Sequence, residues 1–342
     1  MEDRLLVLSK LKQTNYATIL TEAQLQGGKR IAVEGAAFGQ PSIKRWTSQP
    51  LAMVGHDYAT QVQQVERDLT ETLTVPMDTW LAAWVAAFGM GSVSSAILGA
   101  GPAYAHTIKP MAPNAGMDLP VTTIYTEAAN VAGLARRLQS CCVKDFTLEF
   151  PASAPGKITA NFIGSGQITP GLLATPPSLA AYNVLMSNDM VFKYGAQTTP
   201  ADISAQIVVG SVKLTFSWAM DDKNSRATGG GLYRSRAWLD APSITLSFQR
   251  WVDDAVSAPD DDWLADTIQE VLITVQGALI ASTYYHSISI RGLAVIPTVV
   301  KMGQVGNKSI YEYTIQPDHW LKQGAADVLV IVVQNLETNY LV

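Results

Sequence analysis

The side chains able to do chemistry in this 342-residue chain are few and widely spaced. Its four histidines, His56, His106, His286 and His319, share no short metal-ligand spacing with one another, whereas local zinc sites set two ligands a few residues apart. There is no G-x-S-x-G nucleophile turn and no G-x-G-x-x-G dinucleotide loop. Residues 303–309, Gly-Gln-Val-Gly-Asn-Lys-Ser, imitate a phosphate loop. A true one needs four residues between its glycines and Lys directly after the second, so a β-turn is the expectation. The densest acidic run is Asp253-Asp254 followed by Asp260-Asp261-Asp262. Carboxylates bind calcium when several converge on one point, but the EF-type spacing is missing and the run reads as a solvated loop.

The remaining candidates also read as structure. Cys141 and Cys142 are adjacent, with Cα atoms about 3.8 Å apart, too close for an unstrained disulfide. Strand alternation predicts one pointing inward and one outward. No third cysteine exists to build a zinc site. Trp80, Trp84 and Phe88, at i, i+4 and i+8, form a helical stripe that reads as core rather than ligand groove. The basic pairs Lys29-Arg30 and Arg136-Arg137 are too sparse for nucleic-acid readout. The sequence therefore predicts no catalytic, cofactor-binding or metal-binding residues, and no enzyme.

Composition narrows the classes further. Lys and Arg number 24 against 29 Asp and Glu, a net charge of −5, which excludes electrostatic nucleic-acid binding. Apolar residues make up 48% and charged residues only 15%, well under the roughly 25% of an average soluble domain. Such a surface is expected to be covered partly by other protein. Met1-Glu2-Asp3-Arg4 carries acids where a secretory signal needs positive charge. The richest apolar run, 81–90, is about half of a membrane span, so no membrane insertion is expected.

The elements that must position these residues are mostly strands. Residues 2–12 have the spacing of a short amphipathic helix. Residues 21–50, rich in Gly, Ala, Gln and Ser, read as extended or looping, so 1–50 is expected to be an N-terminal arm and 51–342 the core. Val65, Leu69 and Leu73 share one face of a strand that Pro76 ends. Asp78-Thr79 offers an N-cap to a helix stopped by Gly89 and Gly91. A hairpin is predicted from 146–150 and 158–163 around Pro155-Gly156-Lys157. Strict alternation marks Val212, Leu214, Phe216, Trp218 and Met220, then Ile244, Leu246, Phe248 and Arg250. Between these two strands, 221–231 reads as a loop. A short second helix is expected at 263–270 and strands near 272–280, 285–299, 309–315 and 328–335. The apolar run 328–333 looks covered on both faces. Segment 167–205 reads as a possible insertion. Trp80-Leu81-Ala82 recurs as Trp263-Leu264-Ala265, too short an echo to establish a duplication. The fold class is mainly β: an antiparallel β-sandwich or barrel with one flanking α-helix.

The order of these pieces carries a resemblance. The strand at 65–75 precedes the Trp/Leu/Ala helix at 78–89, and Tyr104-Ala105-His106-Thr107-Ile108-Lys109-Pro110 comes next. The extended Val121-Thr122-Thr123-Ile124-Tyr125-Thr126 and the 145–164 hairpin close the block. Over about 65–166, and loosely over 206–300, this resembles the tail tube, or major tail, proteins of long-tailed bacteriophages, especially non-contractile ones. The resemblance implies a self-assembling virion protein without cofactor, six copies to a ring, rings stacked into a tube, and loops and arms bridging them. It also implies tape-measure and tail-terminator partners, assembly in the bacterial cytoplasm, and DNA passing through without sequence-specific binding. An acidic lumen would let DNA slide; Glu66, Asp68, Glu71, Glu149 and Asp253 are candidates to line it. A flexible or a sheathed contractile tail, and six single or three doubled copies, remain open. The alternative is a virion or extracellular β-sandwich that binds a glycan or surface receptor by stacking on Trp238, Trp251, Tyr284 and Tyr285.

Overall fold

The computed structural model describes residues 4–33, 39–47, 62–112, 118–128, 131–196, 205–206, 208–220, 232–234, 239–251, 266–296, 299–322 and 327–342. In chain order the elements are β1 (Arg4–Leu8), α1 (Glu22–Gln26), β2 (Lys29–Val33), β3 (Ser42–Thr47), β4 (Val62–Pro76), α2 (Thr79–Met90), β5 (Gly91–Ile97), β6 (Tyr104–Pro110) and β7 (Thr122–Ala128). Next come β8 (Val131–Phe150), β9 (Lys157–Gly164), β10 (Ile168–Pro170), β11 (Met190–Ala196), β12 (Ala205–Gln206), β13 (Val208–Met220) and β14 (Leu239–Trp251). The chain closes with β15 (Gln269–Ala281), β16 (Tyr284–Val295), β17 (Val299–Val305), β18 (Lys308–Ile315) and β19 (Leu329–Asn335). These strands form a mainly antiparallel two-sheet, sandwich-like fold. The larger sheet, of twelve strands, runs β17-β18-β14-β13-β8-β7-β1-β2, with β9, β4, β3 and β10 attached off that path. The smaller, of seven strands, runs β12-β11-β15-β16-β19-β6-β5.

Helix α2 lies between the sheets, against β8 on one side and β5, β6, β16 and β19 on the other. All twelve of its residues are buried, so it is enclosed rather than flanking. The cause is in the sequence: no charged side chain interrupts Thr79–Met90, and a helix apolar all round must be covered all round. Asp78 caps it as expected, accepting from the Trp80 and Leu81 N–H groups at 3.0 and 3.3 Å. Gly91, at φ 85°, ends it in the left-handed conformation that glycine adopts without strain. Gly89 is no stop; it lies inside the helix, where it lets β8 approach. Trp80 and Trp84 stack at 6.5 Å, and Trp84 meets Phe88 at 4.7 Å, as their spacing predicted.

The N-terminal segment departs from expectation. Arg4–Leu8 is a strand, not part of a helix, and it sits inside the larger sheet between β2 and β7. Leu6 and Leu8 enter the main core, while Val7 packs on the opposite face with Leu20, Leu25 and Tyr125. An apolar run covered on both faces suits a strand better than a one-sided helix. Segment 21–33 is likewise packed: α1 has a capping box between Thr21 and Gln24, and Leu25 is buried. Residues 4–8 and 29–33 are thus strands of the larger sheet rather than a free arm. The part of 167–205 among the described residues, 167–196, is also integrated, since β10 pairs with β8 and β11 pairs with β15.

Elsewhere the predicted strands are present, including the hairpin β8–β9 and the alternating β13 and β14. The loop at 221–231 and the echo at 263–265 lie outside the described residues; Gln269 and Glu270, expected to be helical, open β15 instead. Along β4, Leu69 and Leu73 are buried but Val65 lies beyond the core edge and is exposed. In β19, Leu329, Ile331 and Val333 are buried while Val330 and Val332 are only half-buried, so the run is covered on one face.

A Cβ added at Gly89 would stand 2.7 Å from the Phe146 ring, and the Gly89 carbonyl accepts the Trp218 indole N–H at 2.5 Å. Gly89→Ala is therefore expected to cost about 1–3 kcal/mol in urea unfolding, the usual penalty of overpacking. A change below about 0.5 kcal/mol would show that the helix is free to back away from β8.

Candidate functional site

The outward face of the larger sheet carries a feature that one-strand-at-a-time reading cannot see. Strands β4, β9, β8, β13 and β14 are in register so that Thr74, Thr159, Thr147, Thr215 and Thr245 lie side by side across five strands. The next row is Thr72, Asn161, Asp145, Ser217 and Ser243. On the other side run Pro76, Lys157, Glu149, Lys213 and Ser247. Between these rows the same strands send Leu73, Ala160, Phe146, Phe216 and Ile244 inward, all buried. Alternation with period two separates the hydroxyl face from the core.

The ladder is tied laterally. Thr74 and Thr159 hydroxyls lie 3.3 Å apart, and Thr147 and Thr215 lie 3.1 Å apart. Thr72 Oγ1 donates to Asn161 Oδ1 at 2.6 Å, and Asn161 Nδ2 donates to Asp145 Oδ1. Across the three rows, the carboxylates of Asp145 and Glu149 are balanced by Lys157 and Lys213, with Glu149 opposite both lysines in the register. The face is hydroxyl-rich and charge-balanced, not acidic.

The acids named as lining candidates are not gathered into one surface. Glu66 pairs with Lys44 at 3.5 Å, and Asp68 with Arg234 at 3.3 Å. Glu71 points inward and accepts from the Gly39 and Gln40 backbone N–H groups at 2.6 and 3.1 Å; burial pushes its carboxyl above the usual range. Only Glu149 joins the ladder face, and Asp253 lies outside the described residues together with Asp254 and Asp260–Asp262. The basic pairs are absorbed as well: Arg30 pairs with Glu127, Lys29 lies over the Trp80 ring at 5.1 Å, and Arg136 donates to the Gly39 carbonyl at 3.1 Å.

Both cysteines are buried, yet alternation holds between them: Val143 opposes Phe162 and Cys142 opposes Ile163, so Cys141 and Cys142 take opposite faces of β8, each of them covered. Thr122 opposes Cys141 while Ile124 opposes Leu138, so β8 carries one extra residue there. Ser140, at φ 55°, takes up that bulge ahead of both cysteines. Burial raises the Cys142 thiol to about 12 and drives the Cys141 thiol up also, so both remain unreactive thiols.

His106 is a structural hub. Its Nε2 donates to Asn335 Oδ1 at 3.0 Å, and its Nδ1 accepts from Ser95 Oγ at 2.8 Å. The tautomer follows from Asn335, whose Nδ2 is committed to the Thr79 carbonyl and the Tyr340 hydroxyl at 3.4 and 3.0 Å. His286 bonds Thr79 Oγ1 at 3.0 Å, while His319 sits at a short turn and His56 lies outside the described residues. Among the described residues no group of His, Cys, Asp and Glu is placed to hold a metal ion, and no helix is long and apolar enough to cross a membrane.

The glycan-stacking candidates are not brought together: Trp251 ends β14 in the larger sheet, with Lys308 over its ring at 5.5 Å, while Tyr284 and Tyr285 open β16 in the smaller. Trp238 lies outside the described residues. The 303–309 segment is the predicted turn, with Gly306-Asn307 joining β17 to β18. Neither a protein-family model nor a curated protein sequence matches this chain.

Burial lowers the pKa of both His106 and His286 below their ordinary 6.5, so the folded state holds them neutral. Their contribution to stability is complete above about pH 6.5 and is lost as pH falls through the lowered folded values. The melting temperature is expected to drop between pH 7.5 and 5.5, and His106→Gln should flatten that drop while lowering stability at pH 7.5. An unchanged pH slope in His106→Gln would remove His106 from the titration.

Proposed function

We propose that this chain is a structural virion subunit that self-assembles into stacked rings, the tail tube of a bacteriophage, and so forms a conduit for DNA into the host. The observation that carries the reading is the ladder face on β4, β9, β8, β13 and β14, hydroxyl-lined and balanced in charge. A wall along which a polyanion must slide has to avoid cationic contacts, because each lysine or arginine that meets a phosphate releases counterions and adds affinity. Here each lysine on the central rows faces Glu149 across the strands, and the rest of those rows is almost wholly hydroxyl or amide. In this reading the ladder lines the channel, and neutrality replaces an acidic lining as the reason DNA does not adhere.

Two further observations support it. The order of strand, capped helix, strand pair, extended strand and hairpin over 62–164 is the order on which the resemblance rests. The scarcity of charge, 15% of residues, suits a surface divided among ring and stacking contacts. In the proposed assembly six copies form a ring, with tape-measure and tail-terminator proteins as partners and no reaction catalysed. Lateral contacts close the ring and axial contacts propagate the tube.

Negative-stain microscopy of concentrated protein should show hollow filaments or stacked rings, with ring-sized species by mass photometry. Small species alone at every concentration and salt would overturn the reading. The lining has its own test: filaments of a Thr147→Lys/Thr215→Lys double variant should retain short duplex DNA in a salt-sensitive manner, while unsubstituted filaments release it. Equal DNA retention by both filaments would take the ladder out of the channel.

A further inference from the structure

We propose that β5 (Gly91–Ile97) is a docking edge for a second copy of this chain, the two β5 strands pairing antiparallel about a two-fold axis through Ser94. The inference rests on β5 alone and stands whether or not the chain builds a tube. Among the described residues β5 pairs only with β6, so one row of its backbone N–H and C=O groups has no strand against it. The register with β6 runs unbroken from Gly91 opposite Pro110 to Ile97 opposite Tyr104, which leaves the edge unbulged.

Natural sheets guard such edges with charge, proline, bulges, brevity or a covering segment. The other edges here carry those guards. Strand β12 has two residues, and β10 has three and ends in Pro170. Strand β3 carries Lys44 and Arg45 with a register shift between them, β2 is covered at Arg30 by a bridge to Leu179 and the Ala180 N–H, and β17 carries Lys301. Strand β5 reads Gly-Ser-Val-Ser-Ser-Ala-Ile, with no charge, proline or bulge over seven residues.

The occupant follows from the same comparison. A strand paired antiparallel to its own copy places each side chain opposite its symmetry mate or a near neighbour, so any charged edge meets like charge, which is unfavourable. Strand β5 has none to repel. About Ser94, all seven residues pair: Ser94 meets Ser94, Val93 meets Ser95, Ser92 meets Ala96 and Gly91 meets Ile97. On the outer face Ser94 ends a row of small side chains, Val191, Thr274, Ser289, Val332 and Thr107, that spans the smaller sheet. A second copy continues that row without a step. On the inner face Ser95 is fixed to His106, which holds the edge in place for docking. A contact of this kind is closed, and it joins the two smaller sheets into one.

An edge contact of one strand pair is small, so the dimer is read at tens of micromolar by light scattering after gel filtration. The unsubstituted chain should elute as a dimer, and Ser94→Lys, which sets two lysines face to face on the axis, as a folded monomer. Ser94→Cys should cross-link to itself on mild oxidation, since opposed antiparallel Cα atoms lie about 4.5–5.5 Å apart, within disulfide range. Ser92→Cys should not cross-link alone, but Ser92→Cys with Ala96→Cys should. A monomer throughout the concentration range, a Ser94→Lys dimer, or equal cross-linking of Ser92→Cys and Ser94→Cys would overturn the proposal. Ring-sized species or filaments, by contrast, report on the tube reading: a Ser94→Lys chain that still builds them loses only the two-fold contact.

Discussion

The structure depends on enclosing one uncharged helix. Helix α2 has no polar face to show to water, so both sheets exist in part to cover it, and the chain on either side is arranged to satisfy its few polar atoms. Trp84 gives its indole N–H to the Ser9 carbonyl at 2.7 Å, and Trp80 gives its own to Glu337 at 3.1 Å. Glu337 is in turn paired with Lys10, and Tyr340 donates to the Trp80 carbonyl at 3.3 Å. Segments 9–13 and 335–342 are thus drawn to one end of the helix, where Leu341 N–H also meets the Lys10 carbonyl at 2.9 Å. A buried donor left without its acceptor costs more than the bond itself contributes, which is why these outlying segments are fixed rather than loose.

With the interior committed to α2, the sheets are left to place their polar groups on the outer faces and edges. The larger sheet turns a ladder of short hydroxyls outward, and the register that aligns Thr74 with Thr245 also stacks Phe146 on Phe216 at 5.5 Å inside. One slip of a single residue would exchange the two faces, so the polar surface is specified by the core beneath it. Strand β8 makes this possible over its 20 residues by serving two parts of the sheet. Its first half pairs with β7 and β10 and its second with β9 and β13, with the Ser140 bulge between.

Much of the fold was legible because period-two alternation survives in single strands. Strands β13 and β14, the β8–β9 hairpin and the Asp78 cap followed from local pattern. What failed was whatever depended on distant partners. Arg4–Leu8 has helical spacing, yet β2 and β7 claim it as a strand. The adjacent cysteines alternate, yet both are buried because other segments cover each face of β8 there. The ladder was hidden because its members come from residues as far apart as Thr74 and Thr245, each an ordinary threonine until the register is known. Acids were sought as the surface that matters, but Glu66, Asp68 and Glu71 answer to neighbours supplied by other segments.

The enclosure of α2 also has a cost in time. The helix is complete at Met90, but β19, one of the strands that cover it, begins only at Leu329, some 240 residues later. At roughly 5–20 residues per second, a ribosome needs about 12–48 s to supply that strand. Through this interval two tryptophans and a phenylalanine on an uncharged helix lack part of their cover. Folding dominated by such remote pairings is slow, so until β19 arrives the helix relies for its cover on the sheet already made.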